Sequence, residues 1–177
     1  KSFEQGTIIA TQPELTKVID HPVEFGGFFR ADEEGRKVAV IGANVAMDLY
    51  GEAVPVGKTI TIRDQGFIIQ GVFEPFRSGP INAEIDYNNA IFIPAAYANS
   101  LAGDNLPVYE ILAKFSPESA EAQAATAITA AVQANHDGKE DFTVLKEDEA
   151  SLATASVLEL LTRMIAGMAG ITLLVGG

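Results

Sequence analysis

Hydrophobic positions along the first hundred residues fall into short runs of two different periods. Several runs are rich in β-branched residues and are bounded by Gly, Pro or Asp, which predicts β-strands. These runs are residues 7–10, 38–41, 59–63, 67–72 and 90–93. Other segments space their apolar residues as one face of a helix does. These are residues 12–20, 44–50 and 95–101.

The stretch from residue 38 to residue 72 predicts a strand, a short helix and a β-hairpin in that order. We expect Asn44 to cap the helix, because Asn is a favoured N-cap residue. We expect residues 64–66 to form a three-residue hairpin loop in which Gly66 has positive φ. The apolar run 67–69 predicts a strand segment that is covered on both faces. Phe28 and Phe29 are most simply core residues.

A longer unit follows in the second half of the chain. Residues 108–115 alternate as a strand does, and Ser116, Pro117 and Glu118 give a strong helix start with N-cap, first-turn proline and first-turn acid. An Ala-rich helix is predicted to end near Asn135, and residues 142–145 predict another strand. Strand, helix and strand in this order indicate a βαβ crossover.

Residues 151–177 have one helical pattern. The segment from Met164 to Gly177 contains 14 residues (177 − 164 + 1) without a charged side chain, fewer than the roughly 20 that a membrane span needs. Its many Gly and Ala residues suit close helix–helix packing in lipid. We expect the start of a truncated transmembrane helix here. The alternative is a helix that is buried in the protein core.

Composition excludes several kinds of site. The 177 residues carry a formal net charge of −12, which disfavours binding to the nucleic-acid phosphate backbone. Because Cys is absent, thiol nucleophiles, disulfides and Cys-based zinc sites are excluded. The two histidines, His21 and His136, have no metal-ligand spacing. The N-terminal residues lack the apolar run of a signal peptide.

One sequence resembles a phosphate loop but does not fit it. Gly51 precedes Gly57 by six positions, whereas G-x-x-x-x-G-K-[ST] requires five, and Lys58 is followed by a predicted strand instead of a helix. The acidic groups, such as Asp32, Glu33 and Glu34, lie in polar stretches and are expected to be solvated. No G-x-S-x-G elbow is present. We therefore predict no catalytic, cofactor-binding or metal-binding residues. The loop 75–89 is our candidate contact surface.

Three segments together resemble a known family. Residues 26–75, GGFFRADEEGRKVAVIGANVAMDLYGEAVPVGKTITIRDQGFIIQGVFEP, are similar to the extracytoplasmic core domain of MacB-like (FtsX-like) ABC transporter permeases. Asp86 and the run 90–93 with Pro94 match the pattern that follows in the family. Residues 160–177, LLTRMIAGMAGITLLVGG, resemble the entry into the family's second transmembrane helix. Gly27 departs from the pattern, which usually has Arg.

The resemblance implies an α+β domain of two lobes. One is a porter-like lobe of two βαβ units that are split in sequence, and the other is a smaller β-rich lobe inserted between them. A stalk helix then leads into the membrane. The implied division is 1–24 for the end of the first porter-like unit, 25–106 for the inserted lobe, 107–150 for the second βαβ unit, and 151–177 for the stalk and the start of the transmembrane helix.

The resemblance also implies a function without chemistry in this domain. It implies a permease in the cell membrane whose domain faces the periplasm or the extracellular side. A cytoplasmic ABC ATPase would be the partner, with a homodimer or paired permease and an adaptor or substrate protein outside the membrane. Export or extraction of a drug, a peptide or toxin, or a lipoprotein would follow from transmitted conformational change. The alternatives are a soluble α+β ligand- or protein-binding domain, or a permease-like regulator of a cell-wall hydrolase.

Overall fold

The computed structural model describes residues 6–77, 85–103, 108–115, 121–136, 139 and 142–144. The chain divides into two compact units, Lys1–Lys114 and Phe115–Gly177. The strands are β1 (Thr7–Thr11), β2 (Val23–Gly26), β3 (Val38–Ile41), β4 (Thr59–Ile62), β5 (Gln65–Phe73) and β6 (Ala90–Pro94). The helices are α1 (Leu15–Ile19), α2 (Ala43–Tyr50), α3 (Ala98–Ala102) and α4 (Glu121–Asn135). Short 3-10 turns lie at Ala31–Glu33, Tyr87–Asn89 and Ala95–Tyr97.

The first unit is built on one mixed six-stranded sheet. The strand order is β1-β6-β3-β5-β2, and β4 pairs with β5 beside β2. Strand β1 runs parallel to β6, and β3 runs parallel to β5 but antiparallel to β6. All four residues of β3 are buried, as expected for a central strand that is covered on both faces. The mixed sheet with short helices confirms the α+β fold class.

The core consists of two hydrophobic clusters that divide the residues of β3 between them. Ala39 and Ile41 belong to one cluster, together with residues of α2, β4 and β5. Val38 and Val40 belong to the other, together with Phe29, Phe73 and Phe92. Successive side chains of a strand point to opposite faces, so the sheet separates the two clusters. The expected core position of Phe29 is confirmed, since it is 1% exposed.

The β4–β5 hairpin differs from the expected one in its turn. Ile62 pairs with Gln65, so the loop has two residues, Arg63 and Asp64, and both have positive φ. A loop over 64–66 would have paired Phe67 with Arg63 on the exposed face. The observed register pairs Phe67 with Ile60, and both are buried. Burial of the hydrophobic face therefore sets the register, and the turn residues Arg63 and Asp64 adopt the less favourable positive φ as a consequence.

Two further expectations are corrected, and one observed strand was not expected. Ile68 is 53% exposed, so the run 67–69 alternates between core and surface and is not covered on both faces. Helix α2 begins after Gly42, without a side-chain cap, so Asn44 is not its N-cap. A Cβ at Gly42 would overlap the carbonyl oxygens of Tyr87 and Asn88. The segment Val23–Gly26 forms a strand that the sequence pattern did not predict.

The second unit is described mainly by α4, which confirms the predicted Ala-rich helix over Glu121–Asn135. Residues 142–144, predicted as a strand, have no strand assignment. Residues 108–115 likewise have none, because a β-strand requires a hydrogen-bonded neighbour and none pairs with them among the described residues. The helix start at 116–118 and the segment 151–177 lie outside the described residues. The division into two lobes stays a prediction.

Candidate functional site

A groove of about 600 Å³ runs along β1 in the first unit. Residues of β1 from Thr7 to Ala10 line one side, and Tyr109 and Leu112 line another. Most of the remaining lining side chains are apolar: Leu15, Ile85, Phe92, Ile93, Ala98 and Leu101. This volume lies within the usual range for small-molecule binding clefts.

Charged groups are few in this groove. Burial raises the pKa of the Tyr87 phenol, and the nearby negative charge of Glu110 raises it further. Arg63 also lines the groove, but its guanidinium donates a hydrogen bond to the backbone carbonyl of Leu101. The groove therefore combines a long apolar wall with a carboxylate at one place.

The described ends of the loop 75–89 are held firmly together. The side-chain amide of Asn88 donates to the carbonyl of Phe76 and accepts from the amide of Phe76, both at 2.8 Å. Asp86 accepts from the backbone amide of Asn88 at 2.9 Å and caps the turn that follows.

His21 stacks on the Phe76 ring at 3.8 Å between centroids and donates to the carbonyl of Glu74. His21 is thus partly buried and packed. The contact role of this loop remains a prediction, and residues 78–84 are outside the described part.

Glu33 contradicts the expectation that the acidic residues are solvated. It is 6% exposed, and its carboxylate accepts from the Gln70 amide at 3.0 Å, from the Arg30 backbone amide at 3.1 Å and from Arg36 at 3.2 Å. The hydrogen bond from Gln70 has the largest effect and lowers the pKa of Glu33. The hydrogen bond from the Arg30 amide and the charges of Arg30 and Arg36 also lower this pKa, whereas burial raises it. The side-chain oxygen of Gln70, Oε1, is buried without a hydrogen-bond partner among the described residues. This cluster fastens the 3-10 turn Ala31–Glu33 to β5.

The sequence Gly57-Lys58-Thr59 leads directly into β4, in agreement with the predicted strand. Lys58 forms an ion pair with Glu52 at 2.6 Å and lies over the ring of Tyr50 at 5.6 Å from its centroid. The hydroxyl of Tyr50 donates to the carbonyl of Thr59 at 2.9 Å. These contacts give Lys58 a structural role at the hairpin base.

Two kinds of feature are absent from the described residues. No group of three or more His, Asp or Glu side chains in the described ranges could hold a metal ion. Among the described helices, none is long and apolar enough to cross a membrane. The predicted transmembrane start at residues 164–177 lies outside the described residues.

Sequence reasoning missed the groove and the buried state of Glu33. The groove joins residues near position 8 to residues near position 110, and that proximity depends on the fold. Strand β1 did carry a usable signal, since it has no charge, Pro or Gly. Glu33 is buried because Gln70, 37 positions away, meets its carboxylate.

Comparison with known proteins identifies a family. The profile of the MacB-like periplasmic core domain matches residues 1–131. The Pyoverdine export ATP-binding/permease protein PvdT of Pseudomonas syringae pv. tomato is 34% identical over 164 residues, which cover 90% of this chain and 24% of that protein. The Macrolide export ATP-binding/permease protein MacB of Rhodospirillum rubrum is 30% identical over 174 residues, covering 97% of this chain and 26% of that protein. The chain thus spans about a quarter of the length of these relatives.

Solved structures agree with the fold. The periplasmic region of MacB from Actinobacillus actinomycetemcomitans has a TM-score of 0.71 at 18% identity and covers 88% of this chain and 68% of that chain. The extracellular domain of the noncanonic ABC-type transporter YknZ from Gram-positive bacteria has a TM-score of 0.56 at 18% identity, covering 80% and 70%. At this identity the two structures support the fold alone. Taken with the profile match and the sequence relatives, they lead to one conclusion: the chain belongs to the family of MacB-like periplasmic core domains.

Proposed function

We propose that the chain is the extracytoplasmic domain of an ABC transporter permease that exports or extracts a substrate. The observation that carries this proposal is the 34% identity to an export permease over 90% of the chain. The relatives' names specify pyoverdine and macrolide export. For this chain the proposed cargo is a drug, a peptide or toxin, or a lipoprotein.

In this proposal the domain performs no chemistry. A cytoplasmic ABC ATPase, on a partner subunit or on another domain of the same polypeptide, binds and hydrolyses ATP. The only lysine in a phosphate-loop-like sequence, Lys58, is engaged by Glu52 in front of a strand, which supports placing the nucleotide elsewhere. The domain would face the periplasm or the extracellular side of the cell membrane.

Conformational change would reach the domain through the segment 151–177, as a stalk and the start of a transmembrane helix. The permease would work as a homodimer or as a pair with a second permease, and an adaptor or substrate protein would contact the domain outside the membrane. The six-stranded sheet supports this role, because a rigid sheet can transmit a displacement applied at its connections.

A cellular export assay tests the proposal. We would express the full-length gene with its ATPase in a host that lacks its own exporters and measure the retention of a macrolide, a siderophore and an apolar peptide. One arm replaces the phosphate-loop lysine of the ATPase, and another deletes residues 6–114 of this chain.

Both changes should abolish export of the same cargo, while Gly35→Ala in this chain, where a Cβ meets no atom within 4 Å, should leave export unchanged. Export that continues without ATP hydrolysis, or that continues without residues 6–114, would contradict the proposal. So would a full-length gene that encodes no transmembrane helix.

A further inference from the structure

We propose that the outer edge of β1 binds an extended apolar peptide segment of another protein, with a basic side chain placed against Glu110. The proposal goes beyond an export function and does not depend on it. It rests on the pairing of β1, the composition of β1, and the shape and charge of the groove beside it.

The first observation is the pairing of β1. In the described part of the sheet β1 has one neighbouring strand, β6, and its residues from Thr7 to Ala10 line the groove. An edge strand presents backbone N–H and C=O groups that an added strand can bind. Five residues at about 3.3 Å each give an edge of about 17 Å, which suits a peptide of similar length.

The second observation is the composition of β1. Proteins usually protect an edge strand with Lys, Pro, a bulge or an inward charge. The sequence TIIAT of β1 contains no Lys, no Pro and no charged residue. Its pairing with β6 is in continuous register, without a bulge. Ile8 is 44% exposed at the groove. The edge is therefore suited to strand addition by an apolar segment.

The third observation is the opposite wall. Tyr109 and Leu112 line the groove and are 75% and 39% exposed. Their segment, residues 108–115, has no strand assignment. An extended peptide in the groove would bury apolar surface against both walls.

Charge selects the kind of peptide. Glu110 lies on the groove wall, and among the described residues no Lys or Arg forms an ion pair with it. Arg63 already donates to the Leu101 carbonyl. The net charge of −12 also repels an acidic peptide at long range. A basic residue at the end of the bound segment would meet Glu110 and fix the register of the peptide.

Fluorescent synthetic peptides of about nine residues, alternating Val and Thr, provide the test. One peptide has Lys at its ends, one has Glu, and one has Lys ends with Pro at alternate positions, which removes backbone donors. Fluorescence anisotropy with the full chain should give affinity for the first peptide about tenfold higher than for either of the others. Equal binding of the Pro-containing peptide, or no binding of any peptide, would overturn the proposal.

Matched variants locate the site. Ile8→Lys should weaken binding of the Lys peptide about tenfold, because it places a charge on the apolar wall. Ile68→Lys is the control, since Ile68 has similar exposure on another surface, and it should change binding less than about twofold. An equal effect of the two variants would place the peptide elsewhere and overturn the proposal.

A charge reversal keeps the test decisive if Ile8→Lys perturbs the fold. Glu110→Lys should reverse the preference, so that the Glu peptide binds more tightly than the Lys peptide. Glu34→Lys, an exposed position in a different turn, makes the same change in net charge and is the control. Reversal by both variants would show that net charge alone determines the preference and would overturn the role of Glu110.

Discussion

The two sides of the sheet in the first unit are built differently. On the side of β5 that carries β2 and β4, the backbone approaches closely at Gly71 and a buried carboxylate, Glu33, is held by Gln70. At the other side, β1 borders an apolar groove and is paired with β6 alone among the described strands. The first side is closely packed, and at the second side the outer backbone groups of β1 have no strand partner among the described residues.

This difference separates stability from recognition within one sheet. Close backbone packing and buried hydrogen bonds tolerate little change, because small displacements leave polar groups unpaired. A solvent-facing edge tolerates substitution and can bind a partner, as binding surfaces commonly do. Substitutions should therefore lower stability strongly on the β2–β4 side and weakly at β1. The predictions below follow this order.

The largest effect is expected from Gly71→Ala. A Cβ at this position would lie 2.7 Å from the carbonyl oxygen of Gly27 and 2.8 Å from Cγ1 of Val23. Strand β2 would have to move away from β5, and we expect the free energy of unfolding to fall by about 3 kcal/mol. Urea unfolding measures the change. Gly35→Ala, in open space, should change stability by less than about 0.5 kcal/mol, and equal losses in the two variants would contradict the account.

Glu33→Gln should have the next largest effect. The neutral side chain loses the charge that Arg30 and Arg36 stabilise, and one of its groups becomes a donor that faces donors. Hydrogen bonds to charged groups contribute about 1.5–3 kcal/mol each, so a loss of about 2 kcal/mol is expected. Thermal or urea unfolding checks this. The exposed neighbour Glu34→Gln should be nearly neutral, and a loss of similar size there would contradict a special role for Glu33.

A smaller effect is expected from pH. The pKa of Glu33 is lowered below its ordinary value of 4.5 in the folded protein, so the unfolded state takes up a proton more readily. The stability that Glu33 contributes is therefore complete above 4.5 and decreases as the pH falls through the lowered pKa. The stability difference between the native protein and Glu33→Gln should shrink on acidification. A difference that is constant from neutral pH to well below 4.5 would contradict this.

The smallest effect on stability is expected at the β1 edge. Ile8 is 44% exposed, and Lys can extend its charged end into water. Ile8→Lys should therefore lower the free energy of unfolding by less than about 1 kcal/mol. The same urea titration provides the measurement. A loss as large as that of Gly71→Ala would show that the edge is part of the stabilising core and that the two sides do not differ.

Local sequence patterns predicted most strands but few of the contacts between distant segments. The strand at Val38–Ile41 and the helix that follows were predicted because hydrophobic period and turn residues agree there. The hairpin turn was predicted wrongly because Gly66 suggested a longer loop, whereas burial of Phe67 against Ile60 determined the register.

The candidate site could not be predicted from local sequence patterns. Burial of Glu33 depends on Gln70, and the groove depends on residues about a hundred positions apart in the chain. Residues 108–115 alternate as a strand does and have exposed apolar side chains, but strand formation depends on a pairing partner that a sequence pattern does not specify.

Amide hydrogen exchange on the full chain tests the central claim, that the sheet has a stabilised side and an accessible edge. The amides of β3 and of β5 beside Gly71 should exchange only through global unfolding, whereas those on the outer side of β1 should exchange much faster. Adding the Lys-ended Val/Thr peptide should slow exchange in β1 and leave β5 unchanged. Exchange in β1 that is as slow as in β3 without peptide, or that does not change when the peptide is added, would contradict the account.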